Sequence, residues 1–430
     1  MNEAYASEAA YHGDLAADGV APVATAQRIE TLDFIRGIAV MGILAANIVG
    51  FGQPMLAYFS PSKFLVPSGD PQGWMWIAQF VLIDGKMRGL FTVLFGAGMV
   101  LFMEKAWARG ATRWLQAWRL VVLLGFGLVH FYFIWFGDIL TGYALLGLIA
   151  LLCLKWRAKT QLWVGLAGYM MGVVFYSLLV FQWLIASADP ASLPGDMAEQ
   201  RSGMIAQMDG MIAGEDPVNA AIASGDYAAL VAHRIGEQGL EPFTNAFLFG
   251  WETLPLMLIG MALYRFGFFS GGVVRAKLLR WGWIGVIAGG IAHLAIGLLM
   301  QADGFSLFGT QAAFLGMSAL PRLWMVLGLA ALLVAWAPSA TGWVGERVRA
   351  AGRAAFTNYL GTSILMLFVF HGWALGLFGE LNRPQLYVVV VLFWALMLAW
   401  SKPWLDRFNY GPLEWLWRCL TYRRVFALRR

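Results

Sequence analysis

The chain has 430 residues, of which 60% are hydrophobic and only 13% charged, and its mean hydropathy is +0.66. A soluble domain carries about a quarter charged residues, so composition excludes a water-soluble enzyme or binding module and indicates a polytopic membrane protein. The net charge of +5 reflects the sidedness of the loops described below and gives no ground for nucleic-acid binding.

Residues 1–27 are Ala-rich and acidic and lack the apolar core of a signal peptide, so a disordered cytoplasmic tail is expected there. The first apolar run follows, in Arg28 to Gln53 (RIETLDFIRGIAVMGILAANIVGFGQ). Asn47 stands eleven positions after Arg36, three turns plus about 20°, so Asp33, Arg36 and Asn47 form a polar stripe on a helix otherwise suited to lipid. Polar groups in that setting cost energy unless a partner or a purpose keeps them.

Further runs long enough to span begin near Gly89, Leu120, Ile139, Leu162, Phe243, Trp281, Phe308, Ala354 and Leu386, which with the first, near Ile38, makes ten crossings, an eleventh remaining open. Trp74–Ile83 is too short to cross and reads as an interfacial or re-entrant helix, cut from the next run by Asp84, Lys86 and Arg88. That knot has two readings: a site for an anionic or sugar-linked acceptor, or an interfacial charge cluster with snorkelling side chains.

In the third run (Arg119–Leu140), His130 lies eleven residues past Arg119, on the same face and near the middle of the bilayer, at the depth Asn47 reaches from Arg36. A neutral imidazole there can accept and pass a proton; the alternative is a histidine bonded between helices. Gly125 and Gly127 would let a neighbouring helix or an acyl chain approach, and Asp138 opens the next helix, as a cap or as part of a site. His293 and His371 are weaker candidates, the latter near the outer surface.

Under the ten-crossing count the basic loops all fall on one side, at Arg28, Lys105/Arg109/Arg113, Lys155/Arg157/Lys159, Arg265–Arg280, Arg347–Arg353 and Arg418–Arg424. Short basic loops stay in the cytoplasm, so both termini are expected there. Asp189–Glu241, with nine acidic residues against two arginines, falls outside. Apolar residues at helical spacing in it predict two amphipathic helices, the second starting at Asp216-Pro217, either as a lid or packed in the interface. The expected organisation is therefore N-terminal helices over 28–185, an extracytoplasmic segment over 186–241, C-terminal helices over 242–405 and an interfacial tail over 406–430, where Trp415 and Trp417 beside Arg418, Arg423 and Arg424 suit anionic lipid. No phosphate-binding glycine motif is present, and Cys153 and Cys419 lack the spacing of a metal or redox site.

LDFIRG followed by an apolar run ending in Asn resembles the opening helix of the YeiB-like bacterial membrane proteins. The blocks Leu90–Met99 (LFTVLFGAGM), Phe136–Leu152 (FGDILTGYALLGLIALL), Phe249–Phe268 (FGWETLPLMLIGMALYRFGF), Gly352–Ile364 (GRAAFTNYLGTSI) and Tyr410–Tyr422 (YGPLEWLWRCLTY) resemble that family in its order. More distantly the first helix is similar to transmembrane acyltransferases. This resemblance implies a bacterial inner-membrane enzyme, an acyl-CoA donor on the cytoplasmic side, an embedded catalytic histidine, no metal, and a small-molecule or glycan acceptor bearing a hydroxyl or amine outside. Acyltransferase family three has a histidine where this chain has Asn47, so the implied base is absent from helix one. His130 is the candidate replacement, with Asn47 as an oxyanion donor, Asp138 as a further catalytic candidate, and Arg36, Asp33 and Arg119 toward the CoA phosphates. A small-molecule transporter using the same embedded residues is the alternative.

Overall fold

The computed structural model describes residues 29–430, and the expected N-terminal tail lies outside them. The described chain is helical throughout, with one isolated antiparallel bridge, Phe408 to Arg429. In chain order the α-helices are α1 (Glu30–Gly52), α2 (Met55–Phe59), α3 (Trp74–Leu82), α4 (Lys86–Trp107), α5 (Arg113–Val129), α6 (Leu140–Ala150), α7 (Ala158–Ser187), α8 (Gly195–Ser224), α9 (Tyr227–Gly236), α10 (Glu241–Arg265), α11 (Arg275–Ala302), α12 (Leu307–Gln311), α13 (Ala319–Trp336), α14 (Trp343–Arg353), α15 (Ala355–Phe370), α16 (Arg383–Arg407) and α17 (Pro412–Tyr422).

Among the described residues, eight helical segments are long and apolar enough to cross a bilayer, and the pair α14–α15, bent by 82°, makes a ninth. The segment Leu140–Cys153 is shorter, yet it runs from the Asp138 turn to the far end of its neighbours, where Arg265 donates to the carbonyls of Leu154 and Trp156. Nine of the ten expected crossings therefore appear in order, and the run expected from Ile139 forms a helix shorter than a span. Trp74–Ile83 differs from the interfacial element expected: α3 continues through a break at Ile83–Gly85 into α4 as a single 34-residue span. Its ten residues cannot cross alone, but joined to α4 they do not have to.

The two ends of the bundle carry opposite chemistry. Lys155 lies over the Trp107 ring, Arg349 meets Glu30 and the Ala337 carbonyl, and Trp118 donates to the Leu420 carbonyl, which gathers the basic loops at one end. At the other, Gly379 N donates to the Gly52 carbonyl, Ser60 to Phe305, Gly372 N to Ile222 and Leu56 N to Glu215, which gathers α8, α9 and their acidic residues. Helices alternate between these ends.

Close packing rests on glycine where backbones touch. A Cβ on Gly96 would sit 2.1 Å from the Met257 carbonyl oxygen, and one on Gly260 2.0 Å from that of Val93, so α4 and α10 meet backbone to backbone. A Cβ on Gly142, by contrast, would meet nothing within 4 Å.

The acidic end carries α8 and α9, but their boundary is not at Pro217. That proline sits inside the 30-residue α8, where it removes one backbone bond without ending the helix. Termination comes at Gly225, whose φ of +79° suits glycine, and Asp226 caps α9 by accepting from Ala229 N at 2.9 Å.

Candidate functional site

Three polar groupings lie within the bundle. The first centres on His130, which is fully buried at the point where α5 widens into a π-turn over His130–Ile134. Gly127, one turn earlier, lets the start of α6 come in: a Cβ there would meet Thr141 N at 2.5 Å and Asp138 Oδ2 at 3.0 Å. Asp138 accepts from Leu140 N through Oδ1 and from Thr141 N through Oδ2, and its Oδ1 lies 2.9 Å from His130 Nδ1. A carboxylate only accepts, so Nδ1 carries the hydrogen and Nε2 presents a lone pair. Nε2 is buried and has no partner among the described residues. Capping and functional readings of Asp138 thus coincide on one side chain.

His130 lies in the half of the bundle nearer the acidic end, higher than the mid-depth expected. The reason is that α5 begins at Arg113, about 25 Å below, and the residues after His130 already touch the outer elements: Tyr132 donates to the Gly239 carbonyl and Tyr227 to that of Phe133. Asn47 is at a matching level. Trp135 bridges the two helices, donating to the Gly50 carbonyl and stacking on Phe51, while the Tyr359 ring lies 5.2 Å from that of His130. Asn47 and Tyr359 line a narrow crevice with Asn358, Thr362, Ser363 and Met397, with room for about one water. Gly125, by contrast, faces open space and contacts no helix.

The second grouping overturns the reading of Asp84, Lys86 and Arg88 as an interfacial cluster. The Gly85 φ of +73° turns the chain inward, and a Cβ there would strike the Arg322 side chain. Lys86, 1% exposed, donates to the Phe80 carbonyl at 2.5 Å and does not snorkel. Arg88 Nη2 meets Glu252 Oε2 at 2.5 Å, and Arg322 Nη1 meets the same oxygen at 3.1 Å. Arg322 also donates to the Phe314 carbonyl and Ser318 Oγ. Glu252 is about 16 Å from one end of α10 and about 20 Å from the other, so this network sits at mid-depth. Asp84 accepts from Tyr58 and Gln79, and Gln79 Oε1 in turn accepts from Arg383 and Tyr387.

The third grouping is at the basic end. Arg36 pairs with Asp33 at 3.2 Å, and Arg119 is held between the rings of Phe102 and Trp417, at 4.5 and 4.3 Å. Arg36 and Arg418 lie close enough to Arg119 for their charges to repel it. His293 bonds its own helix, Nδ1 lying 2.8 Å from the Gly289 carbonyl. His371 ends α15 at the acidic end, as its position in the run implied.

Comparison with known proteins places this architecture. A family described as "Protein of unknown function (DUF418)" matches residues 263–424. "Uncharacterized protein YeiB" of Escherichia coli is 30% identical, covering 92% of this chain and 97% of its own length. "Uncharacterized protein YxaH" of Bacillus subtilis is 29% identical, over 93% of this chain and 96% of its own. The chain belongs to the YeiB-like family. No solved structure matches it.

The YeiB-like blocks quoted from the sequence carry part of both buried groupings: Asp138 lies in the second, Glu252 in the third, and Asn358 and Tyr359 in the fourth. Sequence reasoning missed Glu252, Arg322, Arg383 and Tyr359 as site residues. A lone Glu in the apolar run of α10 was the available signal, since an ionisable group inside a span marks a site by default.

Proposed function

We propose that this YeiB-like protein is a bacterial inner-membrane acyltransferase, moving an acyl group from a thioester donor at its basic, cytoplasmic end to a hydroxyl or amine acceptor at its acidic, outer end. The observation that carries this reading is the His130–Asp138 pair, with Nδ1 held at 2.9 Å and Nε2 buried and unpartnered. Asp138 fixes the tautomer, so Nε2 takes the proton as the acceptor oxygen or nitrogen attacks the thioester carbonyl. Asn47 Nδ2 is the candidate donor to the resulting oxyanion. Collapse breaks the carbon–sulfur bond, and the proton passes from His130 to the departing thiolate.

Arg36, Arg119 and Arg418 form a positive surface fitted to the phosphates of CoA, although Arg36 is already paired with Asp33. When bound, acyl-CoA supplies the activated acyl group. From these arginines the thioester must reach about 16 Å to the level of Asn47 and His130. The crevice beside Asn47 is narrower than an acyl chain, so α15 or α16 has to move away from α1 to admit one.

A second reading, transport of a small molecule, is favoured by the mid-depth Arg88–Glu252–Arg322 network, since embedded charges also serve substrate pathways. Binding and turnover of acetyl-CoA and longer acyl-CoAs by protein in nanodiscs separates the two. Saturable binding weakened by Arg36→Ala, with thioester cleavage lost in His130→Ala, supports acyl transfer. An absence of acyl-CoA binding at millimolar concentration sinks it, and uptake in proteoliposomes then tests transport.

A further inference from the structure

The Arg383 guanidinium is fully buried where α16 begins at the acidic end of the bundle, yet only one of its edges is used. Nη1 donates to Gln79 Oε1 at 2.9 Å. Nε and Nη2 are both buried and have no partner among the described residues. Those two nitrogens form the side edge of the guanidinium fork, whose parallel N–H groups match the two oxygens of a carboxylate or phosphate. Leaving such donors buried and unpaired costs free energy that a bound acceptor would recover.

The surroundings supply no resident anion for them. Asp70 turns its Oδ2 to the backbone amides of Met75 and Trp76, and Asp84 Oδ1 accepts from Gln79 and Tyr58. Glu252 is engaged by Arg88 and Arg322. Around the fork and its neighbours, four buried or half-buried cations (Lys86, Arg88, Arg322 and Arg383) face three carboxylates, Asp70, Asp84 and Glu252. Lys86 Nζ has a single protein acceptor, the Phe80 carbonyl. Positive charge in excess inside an apolar bundle favours an anionic guest.

The cover over Arg383 comes from the 60–73 segment. The Phe64 ring lies 5.2 Å from its guanidinium carbon, the Ser68 carbonyl accepts from its backbone N–H, and Gly69 packs on Asn382. Lifting that segment, with loss of the Leu65 N bond to Gln53 Oε1 just past α1, would open the fork toward the acidic end.

We infer that the Nε/Nη2 edge of Arg383 is a binding site for one oxyanion group, a carboxylate or phosphate, admitted from the acidic end beneath the 60–73 segment. The group belongs either to a free small molecule or to a lipid headgroup, and this assignment stands whether or not His130 performs acyl transfer.

The test is thermal unfolding of the full chain in phosphate-free neutral detergent, titrated with inorganic phosphate and separately with acetate, against chloride at equal ionic strength. The midpoint should rise saturably with either oxyanion and not with chloride. Arg383→Lys keeps the charge but loses the fork, and should reduce the shift at least tenfold in apparent affinity. Arg383→Gln removes both the charge and the fork and should abolish the shift, which protects the test if Arg383→Lys fails to fold. Nanodiscs of phosphatidylcholine with and without phosphatidylglycerol identify the source: a phosphate shift abolished by phosphatidylglycerol indicates a headgroup, and one that persists indicates a soluble ligand. Equal shifts with chloride, or shifts unchanged in the variants that fold, would overturn the assignment.

Discussion

Glu252 offers one carboxylate oxygen to two guanidiniums, those of Arg88 and Arg322, at 2.5 and 3.1 Å inside the bundle. Removing the shared anion leaves two buried cations uncompensated. Glu252→Ala should therefore cost about 3–5 kcal/mol, read as a lower unfolding midpoint in detergent, and Glu252→Gln somewhat less. Adding Arg322→Met to Glu252→Ala should restore part of the loss, because one of the stranded charges goes with it. His130 makes a different prediction. Asp138→Asn keeps an acceptor for the α6 amides but no longer fixes the imidazole tautomer, so thioester cleavage should fall by about 10²- to 10⁴-fold while acyl-CoA affinity holds. Much of this scale was legible in the chain: His130, Asp138 and Asn47 stood out as polar residues in apolar runs. Their partners were not, since Arg88 and Glu252 are 164 positions apart and Glu252 and Arg322 are 70 apart. Spacing along a helix reveals a shared face, and only packing decides which faces meet.

At the scale of the element, helix ends carry the testable chemistry. Glu414, on α17, accepts from Phe356 N, Thr357 N and Thr357 Oγ1, and so caps α15 from another helix. Burial raises its carboxyl pKa, and the bonds from Thr357 oppose that shift. Glu414→Ala should cost about 0.5–2 kcal/mol and speed hydrogen exchange at the first amides of α15. Glu215 docks α8 onto the start of α2 by accepting from Leu56 N at 2.9 Å. Burial pushes its carboxyl up to about 7, with the Leu56 bond and Lys63 opposing and Asp216 assisting. The docked form therefore holds the proton more tightly than the undocked form. Its contribution to docking is fully present below the ordinary glutamate value and is lost as pH rises through about 7. Protection of the α8 amides, corrected for intrinsic exchange, should fall between pH 6 and pH 8, and Glu215→Gln should flatten that dependence. The sequence announced an amphipathic outer segment but misplaced its break. Asp216-Pro217 has the chemistry of a helix start, yet the helix passes through it, and the turn falls where Gly225 accepts a positive φ.

For the whole molecule, close helix contact and charge sidedness set the frame. Gly96→Ala and Gly260→Ala should each destabilise the α4–α10 contact and lower the unfolding midpoint, whereas Gly142→Ala, which meets nothing within 4 Å, should leave it unchanged. Sidedness is checked by single cysteines at open glycines in a background where Cys153 and Cys419 are replaced. Gly110→Cys, at the basic end, should react with an impermeant maleimide only after the membrane is opened, and Gly214→Cys, at the acidic end, in intact cells. Hydropathy and loop charge alone determined the helical membrane class, the order of the crossings and the segregation of basic from acidic loops, because each is a property of consecutive residues. Tertiary structure decided what those properties cannot encode. It drew α3 and the Asp84–Arg88 knot into the bundle, set Asp138 against His130, and joined Arg88, Glu252 and Arg322 from three helices, because the cost of burying a charge is met by partners that packing brings together, near or distant in the chain.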